Sequence, residues 1–228
     1  MMKYEAAIFD LDGTLIDSTW VWASLLEKFC NFLDIKDKLK CMGETAHMPP
    51  GQFSRYIKEK FFLKQSEEEI KATFLKIATD FYSNKIPLKK GVERFLKIMR
   101  ENLIKISIAT SCFAELTEIV LKKWGIYDFF SCFVFSEDLN TNKMFADVYL
   151  AAADNMGVSY EKCAVFEDIS LPLNAVKKYK MGYFGVYDEN RSDEVKKELE
   201  LKSDFYIKDY DEFIEKGYVE KFFHLKGE

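Results

Sequence analysis

Two aspartates, Asp10 and Asp12, stand directly after a short apolar segment, Ala6 to Phe9, near the start of this chain. A short apolar run that ends at a turn-forming residue is typical of a buried strand. In open α/β sheets the carboxyl ends of the strands line the ligand crevice, so both acids are expected there. Buried carboxylates are unfavourable unless a cation or a proton compensates their charge. The pattern therefore predicts a metal site or an acid–base pair.

Two further pairs of polar residues each follow an apolar segment. The first pair is Thr110 with Ser111, and the second is Glu167 with Asp168. Hydroxyls and backbone N–H groups at a strand end that leads into a helix can bind a phosphoryl oxygen. A second acidic pair is a natural ligand set for a hard divalent cation such as Mg²⁺, which prefers oxygen ligands.

The chain beyond residue 85 alternates between strand-like and helical patterns. Strand–helix alternation is typical of a doubly wound, Rossmann-like α/β fold with a mostly parallel sheet, covered by helices on both faces. The predicted strands after the first are 104–109, 133–135, 163–166, 183–186 and 205–207.

Residues 18–84 show helical patterns throughout. Apolar residues recur every three or four positions after Ser18 and Thr19, either of which is expected to cap the first helix. Pro49 or Pro50 is expected to open the second helix. A serine followed three residues later by a glutamate, at Ser66, has the form of a capping box for the third.

These patterns predict two domains. An all-helical domain, residues 18–84, is inserted into an α/β core formed by residues 1–17 and 85–228. With 228 residues the chain is long enough for both.

Composition excludes several function classes. The net charge of −5 argues against nucleic-acid binding, because no basic stripe is available to neutralise phosphates. Five cysteines without a Cys-x-x-Cys pair indicate reduced thiols. No apolar run approaches the roughly 18 residues needed to span a bilayer. We therefore expect a cytoplasmic, monomeric protein with no membrane partner.

The segment from Asp10 through Asp12 to Thr14 resembles the signature of the haloacid dehalogenase superfamily, mostly magnesium-dependent phosphohydrolases. Within it the chain is similar to the β-phosphoglucomutases and small-molecule phosphatases, which carry a helical cap after the first strand. The resemblance implies that Asp10 is the nucleophile and Asp12 the general acid and base. It also implies a Mg²⁺ site that involves Asp10, Asp12 and Asp168, with Glu167 acting through a water.

The resemblance further implies that Thr110, Ser111 and Lys143 bind the phosphoryl group. The family usually places this lysine in a Gly-Lys-Pro-x-Pro-Asp segment. Here the glycine and both prolines are absent, although the helix that begins at Asp147 still matches. After Asp168 the family usually has a serine and, four residues beyond the aspartate, a glycine, and this chain differs at both positions.

The implied function is hydrolysis of a small phosphorylated metabolite, with a sugar phosphate as one candidate. A β-phosphoglucomutase is the first alternative, but Trp22 stands where those mutases have a histidine. Trp22 could help exclude water from the site or could pack within the cap. The second alternative is a non-catalytic metabolite-binding protein. The cap candidates for substrate contact are Trp20, Trp22, Glu44, Thr45 and His47.

Overall fold

A six-stranded parallel sheet forms the centre of the computed structural model, which describes residues 3–37, 48, 50–141 and 144–226. The strands are β1 (Ala6–Phe9), β2 (Lys105–Thr110), β3 (Cys132–Phe135), β4 (Cys163–Glu167), β5 (Gly182–Val186) and β6 (Phe205–Ile207). Their spatial order is β3-β2-β1-β4-β5-β6. The sheet confirms the predicted doubly wound, Rossmann-like α/β class.

Helices connect the strands. Between β1 and β2 lie α1 (Val21–Phe32), α2 (Pro50–Lys60), α3 (Glu67–Asp80), a π-helix (Phe81–Lys85) and α4 (Val92–Glu101). Later helices are α5 (Ala114–Lys123), α6 (Asp147–Met156), α7 (Leu173–Lys178), α8 (Asp193–Lys202), α9 (Tyr210–Glu215) and α10 (Tyr218–Phe222). Among the described residues, none of the helices has the length and apolar character needed to cross a membrane.

The two faces of the sheet bury different side chains, because successive residues of a strand point to opposite faces. On β1, Ala7 and Phe9 belong to one apolar cluster, whereas Ala6 and Ile8 belong to another. All four are fully buried. The central strand is therefore covered on both faces, as expected for parallel strands.

Helices α1, α2 and α3 pack together through phenylalanines. The ring centroids of Phe29 and Phe53 lie 5.4 Å apart, and each ring is within 5.5 Å of Phe74. Such aromatic pairs add to the stability gained from burial alone. We propose that these helices form the inserted cap and that the remaining elements form the core.

Two helices begin where the sequence predicts, and the predicted start of a third is wrong. Helix α2 begins at Pro50, and the capping box of Ser66 and Glu69 opens α3. The predicted cap of α1 is wrong, because α1 begins at Val21 and no side chain caps it. Ser18 instead donates its hydroxyl to Asp12, at 2.6 Å.

The register of the sheet brings three strand ends together. Phe9 of β1 lies beside Ile108 of β2 on one side and Phe166 of β4 on the other. The residues that follow these positions therefore share one edge. In the observed strand order the chain reverses direction across the sheet between β1 and β4, which is where such folds bind ligands.

Candidate active site

Three buried acids meet at this edge. Carboxylate oxygens of Asp10, Glu167 and Asp168 all lie within 4.8 Å of one another. The backbone N–H of Asp10 donates to the carbonyl of Phe166 at 3.0 Å, which joins the turn after β1 to β4. Oxygen-only ligands suit Mg²⁺, which binds directly to one or two carboxylates and otherwise keeps its waters, so at least one of the three acids would act through a water.

A tyrosine on α6 holds the side chain of Glu167. The hydroxyl of Tyr149, on α6, donates to Oε1 of Glu167 at 2.6 Å, and both side chains are fully buried. This contact fixes the orientation of the glutamate. Groups that orient metal-binding carboxylates in this way influence metal affinity.

Asp168 forms an ion pair with an arginine that the sequence analysis missed. Arg191 donates from Nε to Oδ2 of Asp168 at 2.6 Å, and the side chain of Asp168 is 1% exposed. The pKa of Asp168 is raised to about 6, chiefly by burial; the guanidinium of Arg191 opposes this rise and the nearby carboxylate of Asp10 contributes to it.

The backbone at Gly13 leaves room for the acids. Its φ is +82°, a left-handed conformation that favours glycine. A Cβ atom at this position would lie 2.1 Å from Oδ2 of Asp168. The carboxylate of Asp168 therefore occupies space that a side chain at position 13 would need. The three clustered carboxylates are a ligand set that fits a small hard cation, which Asp10, Asp168 and Glu167 would hold.

Asp12 has a different environment from the cluster. Its Oδ1 accepts hydrogen bonds from Ser18 Oγ at 2.6 Å and from the hydroxyl of Tyr82 at 2.7 Å. The thiol of Cys112 lies 3.7 Å from that hydroxyl. Burial raises the pKa of Asp12, and the hydrogen bonds from Ser18 and Tyr82 partly oppose this. The two aspartates of one turn are thus placed in separate settings, one among acids and one among neutral donors.

The end of β2 supplies the hydroxyls. Thr110 is buried, and its Oγ1 accepts a hydrogen bond from the N–H of Cys112 at 3.1 Å. The hydroxyl of Ser111 lies 2.8 Å from that of Ser136. Both residues line the same cavity as Asp10, Asp12 and Asp168. The hydroxyls and the acids therefore line one cavity at the same edge of the sheet.

Comparison with known sequences identifies the family. Residues 7–186 match the family described as haloacid dehalogenase-like hydrolase, which is well over half of the chain. The chain belongs to this family. Its fold is that of a haloacid dehalogenase-like hydrolase.

The sequence identity to individual relatives is low. The chain is 28% identical to YhcW of Bacillus subtilis over 171 residues, which covers 72% of this chain and 74% of that protein. It is 24% identical to a phosphorylated carbohydrates phosphatase of Thermotoga maritima over 181 residues, covering 76% and 80%. The solved β-phosphoglucomutase of Clostridium difficile has a TM-score of 0.72 and 22% identity, covering 96% and 98% of the two chains. At that identity the structural similarity concerns the fold alone.

The site of this haloacid dehalogenase-like hydrolase is a cavity of about 340 Å³. Trp22 lines it, as expected for a cap residue near the acids. Trp20 lies elsewhere, 43% exposed, with its indole N–H donating to the carbonyl of Asp17 at 2.8 Å. Trp20 is therefore not part of the site proposed below. Four predicted residues lie outside the described part of the chain: Glu44, Thr45, His47 and Lys143.

Several lining residues were not predicted from the sequence. Arg191 and Asn190 lie in the loop after β5, whose carboxyl end is at the same edge as the acids. The strand-end rule could have identified this loop. Tyr82, which contacts Asp12 without being among the lining residues, lies in the π-helix far from any recognisable motif, and the sequence offered no signal for it.

Proposed function

We propose that this chain is a Mg²⁺-dependent phosphatase that hydrolyses a small phosphate monoester through an aspartyl-phosphate on Asp10. The observation that carries the proposal is the contrast between the two aspartates. Asp10 lies among buried acids that could hold a metal ion. Asp12 lies among neutral hydrogen-bond donors and its pKa is raised. A nucleophile and a proton donor need this difference.

The chemistry of the proposed reaction takes two steps. In the first, a carboxylate oxygen of Asp10 forms a bond to phosphorus, the bond from phosphorus to the ester oxygen breaks, and Asp12 gives its proton to that oxygen. In the second, Asp12 takes a proton from water as the water oxygen attacks phosphorus. The bond between phosphorus and Asp10 then breaks, which restores both aspartates.

The remaining site residues would stabilise the negative charge of the phosphoryl group and hold that group in position. A Mg²⁺ ion held by Asp10 and Asp168, with Glu167 beside them, would supply positive charge for the phosphoryl oxygens. Thr110 and Ser111 line the cavity on the side of β2, where their hydroxyls can donate to those oxygens. Lys143 is proposed to bind the same group, on the strength of the family resemblance. Electrostatic stabilisation of this kind dominates phosphoryl transfer.

The proposal extends to the class of substrate, the cellular location and the partners of the protein. The relatives include a phosphatase named for phosphorylated carbohydrates and another named a hexitol phosphatase, from Escherichia coli. These names support a small phosphorylated metabolite as the substrate. We propose that the protein acts as a monomer in the cytoplasm, without a nucleic-acid or membrane partner.

The alternative of a β-phosphoglucomutase is less well supported. The mutases use a histidine where this chain has Trp22, and an indole offers only a hydrogen-bond donor. Trp22 packs against Phe74, with ring centroids 6.1 Å apart. Incubation with β-glucose 1-phosphate and catalytic glucose 1,6-bisphosphate separates the two functions. A phosphatase releases inorganic phosphate, whereas accumulation of glucose 6-phosphate ahead of free phosphate would identify a mutase.

A turnover assay with p-nitrophenyl phosphate tests the main proposal against a non-catalytic binding protein. Activity is expected with Mg²⁺, and it should disappear with EDTA and return when Mg²⁺ is restored. Ca²⁺ should inhibit, because its larger and looser coordination displaces the nucleophile. Turnover that persists after metal removal would exclude the role given to Asp168, and no turnover under any condition would favour a binding protein.

A further inference from the structure

The cavity has two chemically different halves. The acids, Thr110 and Arg191 lie on the side formed by the strand ends. Another part of the lining is formed by apolar side chains from α1, α2, α3 and the residue before α5, and we call it the apolar wall: Trp22, Leu26, Phe53, Phe74 and Phe113. A substrate that fills the cavity must therefore present its phosphoryl group to one half and its alcohol part to the other.

The apolar wall is built largely from flat rings. Trp22 and Phe74 are nearly parallel, with an angle of 23° between their planes. Phe74 and Phe113 are also nearly parallel, at 25°, with centroids 5.2 Å apart. Phe74 and Phe113 are each at most 5% exposed, so the rings are held by packing on their other sides. The wall is a preformed apolar surface that joins the helical insertion to the core.

Such a surface discriminates between alcohols. Apolar groups placed against it leave water favourably, by about 25 cal/mol for each Å² buried. A hydroxyl placed against it loses its hydrogen bonds to water and gains none from an aromatic or aliphatic side chain. The wall thus favours an alcohol without hydroxyl substituents, even when a polyol has the same size.

We propose that the substrate is a phosphate monoester whose alcohol part is apolar and of about ring size, and that the apolar wall selects it. This inference rests on the phosphatase function proposed above. It gives the class of substrate, which neither the family nor the acids define. The volume of the cavity, about 340 Å³, accommodates a phosphoryl group with a six-membered ring.

Two esters of matched shape test the proposal. Cyclohexylmethyl phosphate and glucose 6-phosphate both carry a phosphorylated CH₂ group on a six-membered ring, and they differ in the ring oxygen and the hydroxyls. We expect kcat/KM to be at least about tenfold higher for cyclohexylmethyl phosphate, since apolar pockets reject added hydroxyls by about this much or more. Turnover of glucose 6-phosphate at an equal or higher kcat/KM would overturn the proposal.

A substitution within the wall gives a second measurement. Leu26 is 8% exposed and lines the cavity from α1. The variant Leu26→Gln brings an amide into the apolar half, so the preference for cyclohexylmethyl phosphate should fall at least about threefold. The control Leu201→Gln makes the same change on α8, where the leucine is 73% exposed, and should leave the preference unchanged. An unchanged preference in a folded Leu26→Gln protein would contradict the role of the wall.

A binding experiment separates this inference from the proposed catalysis. The phosphonate 2-cyclohexylethylphosphonate is the unhydrolysable analogue of the apolar ester, and methylphosphonate lacks the ring. We expect the first to raise the Tm of the wild-type protein with Mg²⁺ at a concentration at least tenfold lower than the second. If this holds without turnover of any ester, the phosphatase proposal fails and the apolar site remains. Equal effects of the two phosphonates would overturn the inference, whatever the turnover.

Discussion

Arg191 and Asp168 form a buried ion pair inside the acid cluster, with Nε donating to Oδ2 over 2.6 Å. The arginine comes from the loop after β5, its side chain is 25% exposed, and it lines the cavity. The same carboxylate is a proposed ligand of Mg²⁺. The guanidinium and the metal therefore compete for one charged group, and the strength of metal binding depends on the arginine.

The variant Arg191→Gln is expected to change stability and metal binding in opposite directions. Without the guanidinium, the buried carboxyl of Asp168 has no opposite charge and its pKa should rise further, so the metal-free protein should lose unfolding free energy at neutral pH, by at most about 3–5 kcal/mol. Mg²⁺ then no longer competes with the arginine, and its Kd should fall about tenfold, or about 1.4 kcal/mol. Urea unfolding in EDTA and Tm measured against Mg²⁺ concentration test both effects.

The control for this variant is Arg94→Gln. Arg94 is on α4 with its side chain 55% exposed, and it lies 3.7 Å from Asp211. Exposed ion pairs contribute little, so stability and Mg²⁺ affinity should both stay close to the wild-type values. A Kd for Mg²⁺ that rises in Arg191→Gln would show that the arginine assists metal binding instead of opposing it.

Gly13 offers a test of the close approach at the site. The variant Gly13→Ala places a Cβ atom 2.1 Å from Oδ2 of Asp168 at a φ of +82°. The left-handed backbone alone costs about 1 kcal/mol for a residue with a Cβ. The clash should add about 1–3 kcal/mol, and it should move Asp168 and so weaken the binding of Mg²⁺. Unfolding free energies with and without Mg²⁺ measure both.

Gly125→Ala is the matched control for Gly13. Gly125 also has a left-handed backbone, with φ of +67°, and no atom lies within 4 Å of the Cβ position. It should show the backbone cost without the clash and leave the binding of Mg²⁺ unaltered. If the two variants lose the same unfolding free energy, Oδ2 of Asp168 lies farther from the Cβ position of Gly13 than 2.1 Å.

The fold and the acids were predictable because they depend on local sequence. The apolar segments before Asp10 and Glu167 form the expected strands, and the predicted range of β6 is the observed one, Phe205–Ile207. The two helices after β6 were missed, since α9 and α10 have only six and five residues. A helix that short gives too few apolar repeats for a periodic pattern to be read.

The partners of the acids were not predictable, because they come from distant parts of the chain. Tyr82 reaches Asp12 across 70 positions of sequence, and Arg191 reaches Asp168 from the loop beyond the next strand. Ser18 was expected to cap α1, and it has the right residue type for that role. Its hydroxyl instead donates a hydrogen bond to the nearby carboxylate of Asp12. A contact with a residue six positions earlier thus overrides the capping preference of Ser18.

The nucleophile is tested by Asp10→Asn. The amide keeps the shape of the side chain and cannot attack phosphorus, so kcat with p-nitrophenyl phosphate should fall by more than about a thousandfold. One negative charge leaves a cluster of buried acids, so the fold should persist, as judged by circular dichroism and Tm. Asp193→Asn, at a fully exposed side chain on α8, is the control and should keep full activity. Activity within tenfold of the wild type in Asp10→Asn would exclude an aspartyl-phosphate on this residue.

The last prediction concerns Tyr82 and the dependence of kcat on pH. Asp12 must be protonated to release the alcohol, so kcat at saturating Mg²⁺ should fall as the pH rises through the pKa of Asp12. Burial raises this pKa, and the hydroxyl of Tyr82 lowers it by donating to the carboxylate at 2.7 Å. The variant Tyr82→Phe removes that donor, so the pKa of Asp12 should rise and the alkaline limb of the profile should move to higher pH. Tyr210→Phe removes an equally buried hydroxyl that donates to the carbonyl of Thr14 at 3.2 Å, and it should leave the limb in place. An alkaline limb that stays put or moves to lower pH in Tyr82→Phe would mean that another group supplies the proton.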